Sequence, residues 1–172
     1  MHDQGEQMEG LLATCPLGYV EARVGEAGVS RIALMCGAEP RALRDLPGHS
    51  ESRIFARLRA AFARYLAGEP ETFPDIPLDL RGTPFQMSVW RTARTFPWGE
   101  TSTYAGLVER MGLGRGSARA IGQALGANPA PILVPCHRFV AANGDLGGFS
   151  CGLPWKRFLL DLECGNLARN RT

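Results

Sequence analysis

The feature that most constrains this fold is a proline-rich stretch near the middle of the chain. Residues 69–82 contain three prolines, and proline neither continues a helix nor pairs inside a sheet. The stretch therefore predicts a linker that divides the 172 residues into two small units. We place the boundary after Pro77, so that the two predicted domains span residues 1–77 and 78–172.

The first predicted unit has the pattern of a small α/β domain. Residues 11–35 carry alternating apolar side chains interrupted by Gly25 and Gly28, which indicates strands joined by a turn. Residues 51–67 carry apolar side chains at helical spacing and are followed by Gly68, which is typical of a helix end.

The second unit is predicted to be mostly helical. Residues 83–86 combine a threonine N-cap, a proline at the first helical position and a glutamine three residues after the cap. Two further helices are predicted near 103–111 and 117–125. The glycine-rich turn between them suggests a helix-turn-helix. A last helix is predicted over 153–163.

Composition narrows the setting of the protein. No apolar run approaches the roughly 20 residues that a membrane helix requires, and residues 1–10 are polar and acidic, unlike a signal peptide. We therefore expect a cytoplasmic protein without a membrane partner. The net charge of +2 does not by itself predict nucleic-acid binding, so any contact with DNA must come from a local patch.

The cysteines argue against a disulfide framework and a zinc ribbon, because their number is odd and no Cys-x-x-Cys pair occurs. They are Cys15, Cys36, Cys136, Cys151 and Cys164. His2 and His49 lie in polar stretches, which indicates that they are exposed to solvent rather than bound to a metal. We predict no metal, with a site near the N-terminus as the alternative.

The sequence Pro135-Cys136-His137-Arg138 predicts an activated nucleophile. Cysteine attacks as a thiolate, and its ordinary pKa of about 8.5 leaves it mostly protonated at neutral pH. His137 can supply the base and Arg138 positive potential. The preceding residues 131–135 are predicted to be extended, and neighbours on a strand point to opposite faces. The base must therefore act either across a backbone turn or through a water.

A third group should orient the imidazole. Glu163 is our candidate, although spacing alone leaves Asp145 and Asp161 open. The alternative interpretation is a buried cysteine beside a surface histidine. It does not explain why Pro131 and Pro135 make the backbone before Cys136 unusually rigid.

The residues from Pro131 to Val140 resemble the active-site signature of the O6-alkylguanine-DNA alkyltransferases. The resemblance extends over roughly residues 78–162 and includes several ordered motifs. These are Gly82-Thr83-Pro84-Phe85-Gln86, Val89-Trp90, Ser117-Ala118-Arg119-Ala120-Ile121-Gly122 and Gly126-Ala127-Asn128-Pro129. It implies an RNase-H-like N-terminal α/β domain, followed by a mostly helical C-terminal domain that contains a helix-turn-helix and the active-site cysteine.

The resemblance implies DNA repair by direct damage reversal. The Cys136 thiolate would attack the alkyl carbon on guanine O6 in duplex DNA and keep the alkyl group, so that each molecule acts once. O4-alkylthymine is left open as a second substrate. No cofactor is implied, because the DNA itself is the alkyl donor, and we expect a monomer.

The family pattern also assigns roles to residues of the site. His137 would act through a water on Cys136 and be oriented by Glu163. Tyr104 would donate a proton or a hydrogen bond to the departing base and would help to rotate the phosphate of the nucleotide. Asn128 would brace the turn between the recognition helix and the active-site segment.

Further resemblances concern DNA and the base. Arg119 would fill the gap left by the flipped nucleotide, and the recognition helix would enter the minor groove. The other expected DNA contacts are Ser117, Ala118, Tyr104 and Gly122. The expected pocket residues are Pro131, Val134, Phe149, Ser150 and Cys151. Within the pocket, the Val134 carbonyl and the Cys136 N–H would read the base edge.

The sequence departs from the family pattern in the loop that would line the pocket. Phe149 stands where a tyrosine is common, and Cys151 replaces the first glycine of a usual pair. We predict that Cys151 narrows tolerance for bulky adducts such as benzyl. A second hypothesis is that Cys151 forms a disulfide bond with Cys136 under oxidising conditions. The alternative to both hypotheses is that Cys151 only fills space as a small apolar side chain.

Three other functions compete with this interpretation. A non-catalytic sensor of alkylated DNA would lack the nucleophile that Cys136 provides. A transcription factor would leave the segment around Cys136 unexplained. A cysteine hydrolase would need an oxyanion site and repeated turnover.

Overall fold

The structure is a computed structural model that describes residues 7–39 and 52–165. The chain forms two compact units, Met1–Leu80 and Arg81–Thr172. The end of the proline-rich stretch pairs with the first unit, because the Val29 N–H donates to the Pro77 carbonyl at 2.9 Å and the Asp79 N–H to the Val29 carbonyl at 3.0 Å. The first unit therefore extends three residues past the predicted boundary at Pro77.

The first unit contains a three-stranded antiparallel sheet in the order β1-β2-β3. Its strands are Met8–Cys15, Gly18–Gly25 and Gly28–Cys36. The prediction of strands and a turn over residues 11–35 is confirmed. Gly28 is required at the turn, because its φ is +138° and a Cβ there would lie 2.4 Å from the Pro77 carbonyl oxygen.

Helix α1, Arg53–Leu66, packs on this sheet. The Ser52 hydroxyl caps it by accepting a hydrogen bond from the Phe55 N–H. Phe55, Leu58, Phe62 and Tyr65 recur at helical spacing and are buried, and a Cβ on Gly10 would lie 2.8 Å from the Phe55 ring. The predicted amphipathic helix is confirmed, and its apolar stripe forms the core of the first unit.

The second unit contains four of the five α-helices found in the described residues. They are α2 (Pro84–Ala93), α3 (Tyr104–Arg110), α4 (Ala118–Gly126) and α5 (Leu153–Glu163). Two short strands, β4 (Ser102–Thr103) and β5 (Phe139–Val140), pair in parallel. The fold is therefore mixed α/β with one small antiparallel sheet in the first unit.

Local signals set the start of α2, as predicted. The Thr83 hydroxyl accepts from the Gln86 N–H at 3.2 Å, and the Gln86 side-chain oxygen accepts from the Thr83 N–H at 2.9 Å. This reciprocal capping box satisfies two backbone donors at the helix start. The Trp90 indole N–H then donates to the Ala124 carbonyl at 2.8 Å and joins α2 to α4.

Two absences concern only the part of the chain that the structure describes. Within residues 7–39 and 52–165, no helix is long and apolar enough to cross a membrane. The same residues hold no group of three or more His, Cys, Asp or Glu side chains suited to a metal ion. His2 and His49, which carry the alternative of an N-terminal metal site, lie outside the described residues.

Candidate active site

Cys136 lies in a tight turn, and the prediction that an extended run leads into it is wrong. Ile132 has φ of +75°, and the Val134 N–H donates back to the Ala130 carbonyl at 2.9 Å. A β-branched residue in the left-handed region is strained and needs support from its surroundings. Sequence periodicity did not reveal this turn, because its support comes from a side chain outside the run.

That support is Asn128. Its side-chain oxygen accepts from the Ala130 N–H at 2.9 Å, and its amide nitrogen donates to the Val134 carbonyl at 2.9 Å. The same nitrogen lies 3.1 Å from the Cys136 sulfur and donates to it. Asn128 is itself buried, so one amide holds the turn and contacts the reactive atom.

The backbone continues to turn after Pro135. Cys136–Arg138 forms one turn of 3-10 helix, and the side chains of Cys136, His137 and Arg138 are all buried. A backbone turn at Cys136 and His137, one of the two predicted arrangements, is therefore present, and it is compatible with a water between the thiol and the imidazole. The Cys136 N–H and the Val134 carbonyl, expected to read the base edge, are bonded to each other at 2.7 Å.

Glu163 at the end of α5 contacts the imidazole, as the sequence argument favoured. Its carboxylate lies 2.7 Å from His137 Nε2 and accepts from Arg138 Nε at 2.8 Å and Nη2 at 3.0 Å. The Gly99 N–H also donates to it at 3.2 Å. Asp145, by contrast, is exposed and bonded to Asn143.

The charges of this cluster follow from burial and pairing. Burial alone would raise the pKa of Glu163, but hydrogen bonds and charges from His137 and Arg138 lower it well below its usual range. Burial lowers the pKa of His137 and outweighs the opposite effect of Glu163. His137 is therefore neutral at pH 7. Its Nε2–H donates to Glu163, and Nδ1 is the nitrogen that can accept a proton.

The resting thiol is protonated. Burial raises the pKa of Cys136 to about 11, and a charge on Cys151 would raise it further, while Asn128 and Lys156 act in the opposite direction. A stable thiolate is thus not present at neutral pH. Deprotonation must accompany the arrival of a substrate.

Lys156 is a residue of the site that the sequence argument missed. It is 0% exposed, and its ammonium donates to the Phe139 carbonyl at 2.6 Å and to the Gly148 carbonyl at 3.4 Å. A signal existed, because Lys156, Leu159 and Glu163 recur on one helical face at i, i+3 and i+7. From the sequence, only Glu163 is singled out on this helix.

Tyr104, the first residue of α3, lies beside Lys156. Its ring centroid lies 5.9 Å from the Lys156 ammonium. Burial raises its pKa, and the charge of Cys136 raises it further. A Cβ on Gly147 would lie 3.0 Å from the Tyr104 hydroxyl, so the loop after β5 passes directly against that oxygen.

The remaining pocket candidates differ in exposure. Pro131 and Val134 are buried, Phe149 and Cys151 are half-buried, and Ser150 is exposed. The Ser150 hydroxyl lies 4.0 Å from the Cys151 sulfur. A charge on Cys151 would raise the pKa of Cys136.

Four of the five predicted DNA contacts lie on α4 and its approach, and the fifth, Tyr104, is the first residue of α3. Arg119 is exposed, while Ser117, Ala118 and Gly122 are half-buried. A Cβ on Gly122 would meet no atom within 4 Å. Ile121, Ala124 and Leu125 are buried, so α4 packs by one face and presents small residues and an arginine on the other.

Comparison with known proteins identifies the family. A profile described as the DNA-binding domain of 6-O-methylguanine DNA methyltransferase matches residues 84–165. A methylated-DNA–protein-cysteine methyltransferase of Methanosarcina acetivorans is 38% identical over 148 residues, which cover 86% of this chain and 93% of the relative. The chain belongs to the methylated-DNA–protein-cysteine methyltransferase family. Every predicted site residue of this methyltransferase lies within the matched segment.

The share of the chain that aligns differs from one relative to another. The Haemophilus influenzae relative is 45% identical over 113 residues, which cover 66% of this chain and 63% of that protein. The chain thus spans just under two thirds of that relative's length.

Solved structures extend the similarity to the whole fold. The crystal structure of Mycobacterium tuberculosis O6-methylguanine methyltransferase is 33% identical, has a TM-score of 0.75 and covers 92% of this chain and 94% of its own. The Mycobacterium tuberculosis protein OGT in complex with DNA is 34% identical, with a TM-score of 0.74 and coverage of 91% and 92%.

Proposed function

We propose that this protein repairs O6-alkylguanine in duplex DNA by transferring the alkyl group to Cys136, once per molecule. The observation that carries the proposal is the environment of Cys136. A buried sulfur accepts an N–H bond from Asn128 at 3.1 Å, beside a neutral His137 held by Glu163 at 2.7 Å. The names of the relatives support this activity.

The first step is removal of the thiol proton. We infer that it passes through a water to Nδ1 of His137, because Nε2 is engaged with Glu163. His137 accepts the proton readily only while Glu163 stays ionised, and the lowered pKa of Glu163 ensures this. The Asn128 N–H then stabilises the negative sulfur as a hydrogen-bond donor.

The second step is a direct displacement. The thiolate electron pair forms the new S–C bond while the bond between the alkyl carbon and guanine O6 breaks. The leaving guanine takes up a proton, for which the Tyr104 hydroxyl is the proposed donor. Its raised pKa keeps that hydroxyl protonated before the transfer. The proton taken up by His137 then returns through solvent to the Tyr104 oxygen, which restores the hydroxyl. Thiol and alkylguanine thus become thioether and guanine.

The substrate base has to leave the stack to reach Cys136. Extruding a nucleotide costs a few kcal/mol, and Arg119 on the exposed face of α4 is the proposed residue that fills the gap. The small residues Ala118 and Gly122 would allow close approach in the minor groove. A structural relative of this chain has been solved in complex with DNA, which supports the proposal that this chain binds DNA.

Finer features of the proposal concern the two units and the setting. The first unit would be an RNase-H-like domain, and α3 with α4 would act as a helix-turn-helix. The Cys136 N–H and Val134 carbonyl can read the base only if their mutual bond is exchanged. We further propose a cytoplasmic monomer without a cofactor, which removes O4-alkylthymine in addition if the pocket admits it.

Irreversibility follows from the product. Returning the alkyl group would require Cys136 to leave its carbon as a thiolate, and a thiolate is a poor leaving group from a thioether. The proposal therefore predicts consumption of the protein, whereas a cysteine hydrolase would turn over.

The experiment that tests this proposal measures the DNA. A duplex carrying one O6-methylguanine is mixed with the protein at several ratios, digested to nucleosides and assayed for the lesion. We expect the lesion to disappear up to one equivalent of protein and then to stop. Continued loss beyond that ratio would indicate a turning-over enzyme, and binding without any loss would indicate a non-catalytic sensor.

A further inference from the structure

Lys156 is unusual both in composition and in place. The chain contains 18 arginines and one lysine among its 19 basic residues, and that single lysine is wholly buried. Lysine is almost never fully buried unless it is paired. A cation at this depth therefore needs a specific reason.

The contacts of Lys156 lie in the two segments that follow Cys136 along the chain. Its ammonium donates to the carbonyl of Phe139, three residues after Cys136, and to that of Gly148 in the pocket loop. It also lies over the Tyr104 ring at 5.9 Å from the centroid. These partners are two neutral carbonyls and an aromatic face. The positive charge of Lys156 is thus not cancelled by a carboxylate among these contacts.

The other cation near the nucleophile is already neutralised. Arg138 makes two hydrogen bonds to the Glu163 carboxylate, so that pair contributes little net charge. The remaining titratable groups around the sulfur are His137 on the same turn, Tyr104 on α3 and Cys151 in the loop. None of these three is positive in the resting state, whereas Lys156 is.

We propose that Lys156 is a positioning residue whose ammonium group stabilises the Cys136 thiolate during alkyl transfer. The inference rests on the proposed function and deepens it. Cys136 and Lys156 interact electrostatically in both directions: the lysine favours the thiolate, and the thiolate favours the ammonium. Lys156 keeps its proton throughout the reaction, so it neither gains nor loses an atom in the transfer of the alkyl group from guanine to Cys136.

The chemistry of the side chain explains why this position holds lysine. An ammonium is a compact point charge that can direct separate N–H bonds to two carbonyls, whereas guanidinium is a planar fork suited to carboxylates. Burial lowers the pKa of Lys156 to about 8. The charge is therefore present at neutral pH and is lost above pH 8.

The test measures the reactivity of Cys136 without DNA, so that its outcome is independent of base recognition. Methyl iodide is added between pH 6 and 10 to three full-length proteins. They are the wild type, Lys156→Met and the matched control Arg157→Met. Arg157 is the exposed neighbour on the same helix. Methylation of the Cys136 peptide is quantified by mass spectrometry, and the exposed Cys36 and Cys164 report reagent activity.

We expect Lys156→Met to methylate Cys136 about tenfold more slowly at pH 7, which corresponds to roughly one pH unit in thiolate formation. The difference should narrow above pH 8 as the wild-type ammonium loses its proton. Arg157→Met should follow the wild-type profile. An equal rate in Lys156→Met, or a deficit that does not change with pH, would overturn the inference.

A second measurement applies if Lys156→Met does not fold. Protein labelled with ¹⁵N-lysine gives one side-chain signal, because the chain has one lysine. In wild type, the rate of Cys136 methylation should rise about tenfold per pH unit below the midpoint of that signal and less steeply across it, because the thiolate loses its neighbouring cation there. A tenfold rise per pH unit that continues through the midpoint would refute the inference. Should wild type fail to repair alkylated DNA while either result holds, the proposed function fails and the role of Lys156 stands.

Discussion

Replacing Glu163 by glutamine tests how far the second unit depends on one buried carboxylate. Glu163 accepts hydrogen bonds from His137, from two nitrogens of Arg138 and from the Gly99 N–H, at 2.7 to 3.2 Å. Glutamine keeps the shape and one acceptor oxygen. Its amide group, however, turns a donor toward partners that are themselves donors, and the negative charge is lost.

The size of the effect follows from the charge left behind. Arg138 is buried, and its remaining partner is the Phe96 carbonyl at 2.6 Å. Breaking a buried ion pair by removing one member costs about 3–5 kcal/mol. Because a folded domain is stable by only about 5–15 kcal/mol, we expect Glu163→Gln to lose a large part of the unfolding free energy of the second unit.

Tryptophan fluorescence in urea measures this unit selectively. Trp90, Trp98 and Trp155 are the only tryptophans of the chain, and all belong to the second unit. The matched control is Asp161→Asn, which removes a carboxylate that is only half-buried from the same helix. It should change the unfolding free energy by about 0.5 kcal/mol or less.

The stability difference should also depend on pH. The pKa of Glu163 is lower in the folded protein than in the unfolded chain, where it is about 4.3. Its contribution is therefore fully present above about pH 4.3 and decreases as pH falls further, so wild type and Glu163→Gln should converge in acid. Coincident urea curves for Glu163→Gln and Asp161→Asn at pH 7 would refute this reasoning.

Further predictions concern the turn, the helix start and the pocket. Asn128→Ala removes three hydrogen bonds and should lower the urea unfolding free energy by about 2–3 kcal/mol, and repair of O6-methylguanine should slow with it. Thr83→Ala removes the capping box and should lower the unfolding free energy by about 1 kcal/mol in the same assay. The repair rate should not change, because Thr83 is exposed and its side chain bonds to Gln86 rather than to a residue of the site. Cys151→Gly should react faster with benzylguanine, and an unchanged rate would show that Cys151 does not narrow the pocket. Mild peroxide should yield a disulfide between Cys136 and Cys151, which peptide mapping would detect or exclude.

Local signals in the sequence were sufficient for most of the fold. The capping box at Thr83 and Gln86 and the apolar spacing of residues 153–163 depend on side chains within a turn or two of each other. The first of these helices begins at Pro84 as predicted, and the second spans residues 153–163 as predicted. The contact of Glu163 with His137 was also favoured, although spacing alone could not separate Glu163 from Asp145 or Asp161.

The turn before Cys136 could not be predicted by the same means. Residues 131–135 have the composition of a buried strand, and β-branched Ile132 disfavours the left-handed region it occupies. The conformation depends on the side chain of Asn128, which bonds to three atoms across the turn. Lys156 was missed for a related reason, since a lysine on an amphipathic helix is ordinarily assigned to the solvent face.

The measurement that tests the central claim most directly is the intact mass of the protein. Wild type and Cys136→Ala are each mixed with excess duplex DNA carrying one O6-methylguanine. The account predicts a gain of one methyl group on wild type, saturating at one per molecule and mapping to the Cys136 peptide, with no gain on the variant. Methylation at another residue, or an unchanged mass despite binding to the lesion, would contradict it.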